Sequence, residues 1–262
     1  MKSIPDQIKD IKNHGYALDF SNVLNYAFEN YKKIALYAGL ILLVFSAFFG
    51  FIGCSILAAI FGVEKISNPN FFNIQLQHLS QVQLVYYILG TVFISAIFSP
   101  FTAGFLKMAD CAQKDEEFKV ATIFTYYKTH HFFPIFFATF IISLISSVLS
   151  TFLELQKLNN LGLVISLLIT FFTFLTIPLI VFGNLKALNA IKSSFILIAR
   201  QPLVLLALMI TIIAALIVGL FGFCIGILFT LPFSYSMTYA IYSAIFKIDK
   251  EDPIDTIGKS DF

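Results

Sequence analysis

The stretch that decides the fold is residues 202–246, PLVLLALMITIIAALIVGLFGFCIGILFTLPFSYSMTYAIYSAIF, which contains no Asp, Glu, Lys or Arg. Four further stretches share this property, and they are residues 34–63, 82–106, 132–153 and 158–185. A helix rises about 1.5 Å per residue, so about 20 apolar residues cross a hydrocarbon core about 30 Å thick. Each shorter stretch is long enough for one crossing, and residues 202–246 are long enough for two. The sequence therefore predicts six transmembrane helices.

The composition supports an all-α, polytopic membrane protein. Of the 262 residues, 58% are hydrophobic and 12% are charged, and the mean hydropathy is +0.87. A soluble domain is about 45–50% apolar and about 25% charged. Strands of a transmembrane barrel alternate apolar and polar residues, whereas these stretches are apolar throughout. The net charge of +2 gives no indication of nucleic-acid binding.

The distribution of basic residues predicts the orientation. Of the 17 Lys and Arg residues, all except Lys65 and Lys157 fall in the segments before the first stretch and after the second, fourth and last. Basic residues accumulate on the cytoplasmic side of membrane proteins. Both termini are therefore expected in the cytoplasm, and this requires an even number of crossings.

The chain divides into a polar N-terminal tail (1–17), a transmembrane domain (18–247) and a polar C-terminal tail (248–262). The predicted crossings cover about residues 34–63, 82–106, 132–153, 160–182, 203–221 and 227–246.

Three short amphipathic segments precede the three predicted transmembrane hairpins, at residues 19–33, 118–131 and 184–201. Their apolar positions recur every three or four residues, a pattern typical of helices that lie along the membrane interface. We expect them to be cytoplasmic and to contact anionic lipids or a partner protein. The three units share little residue identity, so ancestry by duplication and a merely shared plan both remain open.

Residues with catalytic or metal-binding chemistry show no suitable spacing. Adjacent carboxylates occur only at residues 115–117 and in the C-terminal tail, where they are expected to be solvated. No pair of histidines has the spacing of a metal-binding helix. Cys54 and Cys224 are interpreted as small packing residues rather than a disulfide. The sequence therefore predicts no catalytic site, no metal site and no cofactor. The four histidines are His14, His78, His130 and His131.

The most suggestive feature within a crossing is an aromatic face on the sixth helix. Its members are separated by four, three and four residues, so they stack on one side. Serine and threonine hydroxyls lie nearby. One interpretation is a face that binds a lipid or another apolar ligand, and the favoured one is packing between helices. The face consists of Tyr235, Tyr239, Tyr242 and Phe246.

The last unit carries a recognisable order of short motifs. Ala190, Lys192 and Ser194 form an A-x-K-x-S helix, and Arg200-Gln201-Pro202, an apolar run and a glycine-containing turn before Pro232 follow it. This order resembles a group of bacterial six-helix membrane families, although Cys224 and Ile225 replace part of the glycine-rich turn. The group includes the membrane domain fused to some glycerophosphodiester phosphodiesterases, and some similar proteins carry a beta-carotene monooxygenase label. The resemblance implies a membrane module of the bacterial cytoplasmic (inner) membrane, without an activity to carry over.

Three functions follow as hypotheses. The leading one is a non-enzymatic integral membrane protein that acts as a scaffold, as a partner of another membrane protein, or as a lipid-interacting module. The first alternative is a carrier of a small apolar or neutral solute without ion coupling, because the predicted crossings contain no carboxylate. The second alternative is a membrane enzyme of lipid or carotenoid metabolism. Membrane lipids are the expected partners in each case.

Overall fold

A computed structural model of the chain describes residues 2–68, 76–222 and 225–247, and all regular elements in these residues are helices. The predicted C-terminal tail (248–262) and Cys224 lie outside the described residues. A 3-10 turn covers Leu76–His78. The helices are α1 (Ile4–His14), α2 (Phe20–Phe61), α3 (Val63–Ile66), α4 (Gln81–Gln113), α5 (Val120–Ile123), α6 (Thr125–Lys128), α7 (Phe132–Leu155), α8 (Asn159–Thr173), α9 (Thr176–Val181), α10 (Ala187–Arg200), α11 (Pro202–Leu220) and α12 (Ile225–Phe246).

Five helices of the described chain are long and apolar enough to cross a membrane. They correspond to the first five predicted crossings, with α8 and α9 together forming the fourth. The helical class and the multi-pass character are therefore as predicted. The five are Phe20–Phe61, Gln81–Gln113, Phe132–Leu155, Asn159–Val181 and Pro202–Leu220.

The sixth predicted crossing, residues 227–246, corresponds to α12, which is not among these five. The apolar stretch 202–246 divides into α11 and α12 at the predicted position, and the Gly222 N–H donates to the Gly219 carbonyl in the turn at 3.1 Å. Serine, threonine and tyrosine side chains lower the hydropathy of α12. Half of its 22 residues are buried. A helix that faces protein needs fewer apolar side chains than one that faces lipid.

The three predicted interfacial helices have different outcomes. Residues 19–33 do not form a separate helix, because no Gly or Pro interrupts the chain before Gly39. They continue into the first crossing as α2, whose 42 residues extend about 63 Å. Residues 118–131 form two short helices, α5 and α6. Residues 184–201 form one helix, α10.

Residues 1–17, predicted as a polar tail, contain helix α1. The Ser3 side chain caps its first turn, and Gly15 ends it with a φ of 74°. Ile8 and Ile11 are buried, and the Tyr16 hydroxyl donates to the Leu197 carbonyl at 2.9 Å. These contacts hold α1 against α10. The three isoleucines of α1 are too few among its charged residues to stand out in the sequence.

The two C-terminal hairpins pack at different heights along the bundle. Helix α12 runs antiparallel to α2, with Ser236 beside Asn30 and Phe229 beside Gly39. By contrast, α7 contacts α4 near Phe93, whose ring lies 5.3 Å from that of Phe140. The α11–α12 hairpin therefore lies beside the amphipathic half of α2, and the α7–α8 hairpin lies beside the N-terminal half of α4.

Candidate functional site

The predicted aromatic face of α12 is largely buried against other helices. The Phe182 ring lies 5.5 Å from Tyr239 and 5.4 Å from Tyr242, and Tyr242 lies 4.8 Å from Phe246. The structure thus brings three of the four predicted residues together. Tyr235 instead stacks on Phe105 of α4, with ring centroids 5.0 Å apart and planes 10° apart. These contacts are those of helix packing, and an apolar ligand at this face stays a hypothesis.

A buried polar cluster lies next to this aromatic face and joins three helices. Asn30 of α2 donates from Nδ2 to the Ala109 carbonyl of α4 at 2.7 Å. The Ser236 hydroxyl of α12 donates to Asn30 Oδ1 at 2.9 Å. The Tyr239 hydroxyl donates to Asp110 Oδ1 at 2.9 Å. We call Asn30, Asp110, Ser236 and Tyr239 the polar junction.

Asp110 is the charged member of the junction, and only 3% of it is exposed. Lys107 Nζ lies 2.6 Å from Oδ2, and Lys114 Nζ lies 2.8 Å from Oδ1. A buried carboxylate is costly unless it is paired and hydrogen-bonded. The Asp110 carboxylate is paired with two lysines and accepts a hydrogen bond from one phenol, so its hydrogen-bonding requirement is met.

Sequence reasoning missed Asp110, although a signal was present. The spacing Lys107-x-x-Asp110-x-x-x-Lys114 places both lysines next to the carboxylate on a helix. This pattern has meaning only if the helix continues past residue 106, where the apolar stretch ends. In the structure α4 continues to Gln113, and the predicted loop begins later.

Tyr126 and His131 extend the polar surroundings of Asp110. Tyr126 is buried, and its burial raises the pKa of the hydroxyl, with a further contribution from the negative charge of Asp110. The Tyr126 ring meets the His131 ring edge-on at 5.7 Å. His131 Nε2 lies 2.8 Å from Asn184 Oδ1, an assignment in which the imidazole N–H donates. His131 therefore ties the start of α7 to the segment that precedes α10.

A groove on the outside of the bundle lies between α2 and α11, and residues of α12 also line it. We call it the α2–α11 groove, and its volume is about 440 Å³. This volume is in the range of pockets that bind small molecules. Its walls are mainly apolar, with an amide and hydroxyls among them. The lining includes Asn25, Phe28, Tyr31, Thr211, Ala214 and Val218.

The fold and these sites define a helical, multi-pass membrane protein in which buried polar groups of α2, α4 and α12 bind one another. No known protein family, curated protein or solved structure matches the chain. Among the described residues, no group of three or more His, Cys, Asp or Glu side chains is arranged to hold a metal ion. The polar junction joins α2, α4 and α12, and the α2–α11 groove presents a mainly apolar lining.

Proposed function

We propose that this protein is a non-enzymatic, lipid-interacting integral membrane protein of the bacterial cytoplasmic membrane. In the proposed arrangement α12 is the sixth crossing and both termini face the cytoplasm. The distribution of basic residues supports this orientation. The bacterial membrane and the sixth crossing are proposed from the motif order of the last unit, to which the comparisons with known families add no support.

The non-enzymatic part of the proposal is supported by the state of Asp110. Catalytic carboxylates need a free oxygen that can reach a substrate or a proton. Both oxygens of Asp110 are already occupied by Lys107, Lys114 and Tyr239, and the side chain is 4% exposed. Such a carboxylate stabilises the association of α4 with α12.

The α2–α11 groove is the observation that supports the proposed interaction with lipids. Ala214 and Ala215 leave space between α11 and α2, while Phe28 and Val218 expose apolar surface beside it. Thr211 and Asn25 add hydrogen-bonding groups to the same lining. A lipid has an apolar hydrocarbon chain and a polar ester region. It therefore matches a groove that is mainly apolar and has a few polar groups.

Retention of lipid during purification tests this function. We expect Ala214→Trp to fill the groove and to lower the number of lipids that remain bound in native mass spectrometry. Leu206→Trp is the matched control, because Leu206 is exposed on the same helix and does not line the groove. Equal lipid retention by the wild-type protein and Ala214→Trp, with both variants folded, would contradict the proposal.

A further inference from the structure

A second groove lies where α7 and α10 begin, and we call it the α7–α10 groove. Its volume is about 530 Å³, and its lining is formed by Phe132, Phe133, Pro134, Phe136, Phe137 and Ala187. Phe133 is 75% exposed and Phe137 is 50% exposed. Phenylalanines that a soluble protein would bury are therefore presented outward at this corner, as expected of a surface that contacts hydrocarbon.

Two exposed lysines lie close to the groove lining along the chain. Lys128 ends α6 shortly before α7 begins, and Lys186 immediately precedes Ala187, which lines the groove. The hydrogen bond between His131 and Asn184 holds these two chain segments together. Both lysines are exposed, and neither forms an ion pair with any residue that the structure describes.

Helix α10 extends the same pattern away from the groove. Leu188, Lys192 and Phe195 are spaced by four and three residues, so they share one helix face, and all three are exposed. Exposed apolar residues with lysines at the same level are typical of helices that lie in the headgroup region of a membrane. Lysine can extend its ammonium to the headgroups while its methylene groups contact apolar surface.

We propose that the α7–α10 groove binds an anionic phospholipid of the cytoplasmic leaflet. The phosphate lies between the Lys128 and Lys186 ammonium groups, and one acyl chain lies along Phe133 and Phe137. This inference rests on the proposed membrane function and orientation, and it adds the charge class and the position of the lipid. Charge complementarity carries the choice, because Lys186 directly precedes the lining residue Ala187 and Lys128 lies four residues before the lining residue Phe132. Neither lysine is paired with a described acidic residue, and the lining itself is apolar.

The expected preference follows from the electrostatics of juxtamembrane basic residues. Each lysine near an anionic lipid surface favours the charged headgroup by about fivefold, and two lysines together favour it by about 25-fold. An anionic lipid that is a minor component of the bilayer would then still occupy the groove for most of the time.

The chain contains no tryptophan, which allows a site-specific fluorescence test. Phe133→Trp places a single fluorophore at the groove, and Phe51→Trp places one on an exposed part of α2. Each full-length variant is reconstituted into phosphatidylcholine vesicles that contain a minor fraction of phosphatidylglycerol brominated on its acyl chains. We expect severalfold stronger quenching at position 133 than at position 51. Free inorganic phosphate should leave this difference unchanged.

Lysine variants connect the quenching to the proposed headgroup contact. Adding Lys128→Gln and Lys186→Gln should reduce quenching at position 133 to the level seen at position 51. Lys12→Gln with Lys119→Gln removes the same charge from two other exposed lysines and should have no effect. Equal quenching at the two positions, or no response to the first pair, would overturn the anionic site. In a parallel experiment the phosphatidylcholine is brominated instead. If it quenched neither tryptophan, the proposed membrane function itself would be wrong.

Discussion

At the scale of single residues, Tyr239 and Tyr242 place the same phenol in two different environments. Both side chains are buried on α12. The Tyr239 hydroxyl donates to the charged Asp110, whereas the buried Tyr242 hydroxyl makes no hydrogen bond with any described atom. A hydrogen bond to a charged group stabilises the folded state, and a buried hydroxyl without a partner destabilises it.

Removing the two hydroxyls should therefore have different effects on the free energy of unfolding. We expect Tyr239→Phe to lower it by about 1–2 kcal/mol, because a bond to a carboxylate is lost within a membrane protein. Tyr242→Phe should leave it unchanged or raise it slightly. Reversible unfolding in mixed micelles with increasing sodium dodecyl sulfate measures both. Equal losses in the two variants would show that Asp110 is not the relevant partner.

The sequence indicated the shared face of these tyrosines but not their partners. The intervals between residues 235, 239, 242 and 246 give the face from helical geometry alone. The partner of Tyr239 depends on how far α4 extends and on which level of α12 meets it. These are properties of tertiary packing, and the boundary of an apolar stretch does not report them.

At the scale of elements, the approach of α5 to α4 depends on one glycine. A Cβ atom added to Gly104 would overlap the backbone of Ile123, including its carbonyl oxygen. At Gly90, on the same helix, no described atom beyond the local helix backbone lies within 4 Å of the added Cβ position. Backbone atoms cannot move aside as a side chain can, so the two positions differ in tolerance.

Alanine substitution at these two glycines should have different effects on stability. Gly104→Ala is expected to destabilise the protein by about 1–3 kcal/mol, because α5 must move away from α4. Gly90→Ala should be neutral or stabilising by up to about 1 kcal/mol, since alanine favours helix more than glycine does. Thermal unfolding in detergent gives the comparison. A stable Gly104→Ala variant would mean that α5 does not pack here.

Two element boundaries in the last unit were predictable because a proline or a glycine marks them. Pro202 begins α11, and Gly222 lies in the turn that separates α11 from α12. No such residue separates the amphipathic start of α2 from its apolar part, and the separate interfacial helix predicted over residues 19–33 rests only on the change in polarity at residue 34. Helix α2 continues past residue 34, because a change in side-chain polarity alone does not end a helix.

At the scale of the whole molecule, the position of α12 along α2 bears on the sixth crossing. Phe229, near the start of α12, lies at the level of Gly39, which is five residues into the apolar part of α2. If this hairpin crosses the membrane, the charged residues of α2 must lie close to the hydrocarbon. Lys32 is paired with Glu29 at 2.6 Å, and Lys33 with Asp115 at 2.6 Å. Pairing lowers the cost of such a placement.

Chemical labelling of a cysteine at the α11–α12 turn tests whether this hairpin crosses the membrane. In a protein without its three cysteines, Phe221→Cys introduces a thiol at a site that is 83% exposed. We expect a membrane-impermeant maleimide to label it in intact cells, because an α11 that crosses ends on the outer side. Lys65→Cys, in the predicted outer loop, should be labelled equally, and Glu117→Cys only after permeabilisation.

Labelling of position 221 only after permeabilisation, with position 65 still reactive in intact cells, would contradict the sixth crossing. In that case both ends of the hairpin would lie on the inner side, and the amphipathic half of α2 would pack against α12 outside the hydrocarbon. The two termini would lie on the same side of the membrane in either arrangement, because removing a hairpin removes two crossings at once. The location of the C-terminus therefore does not distinguish the two arrangements, whereas a thiol at the tip of the hairpin does.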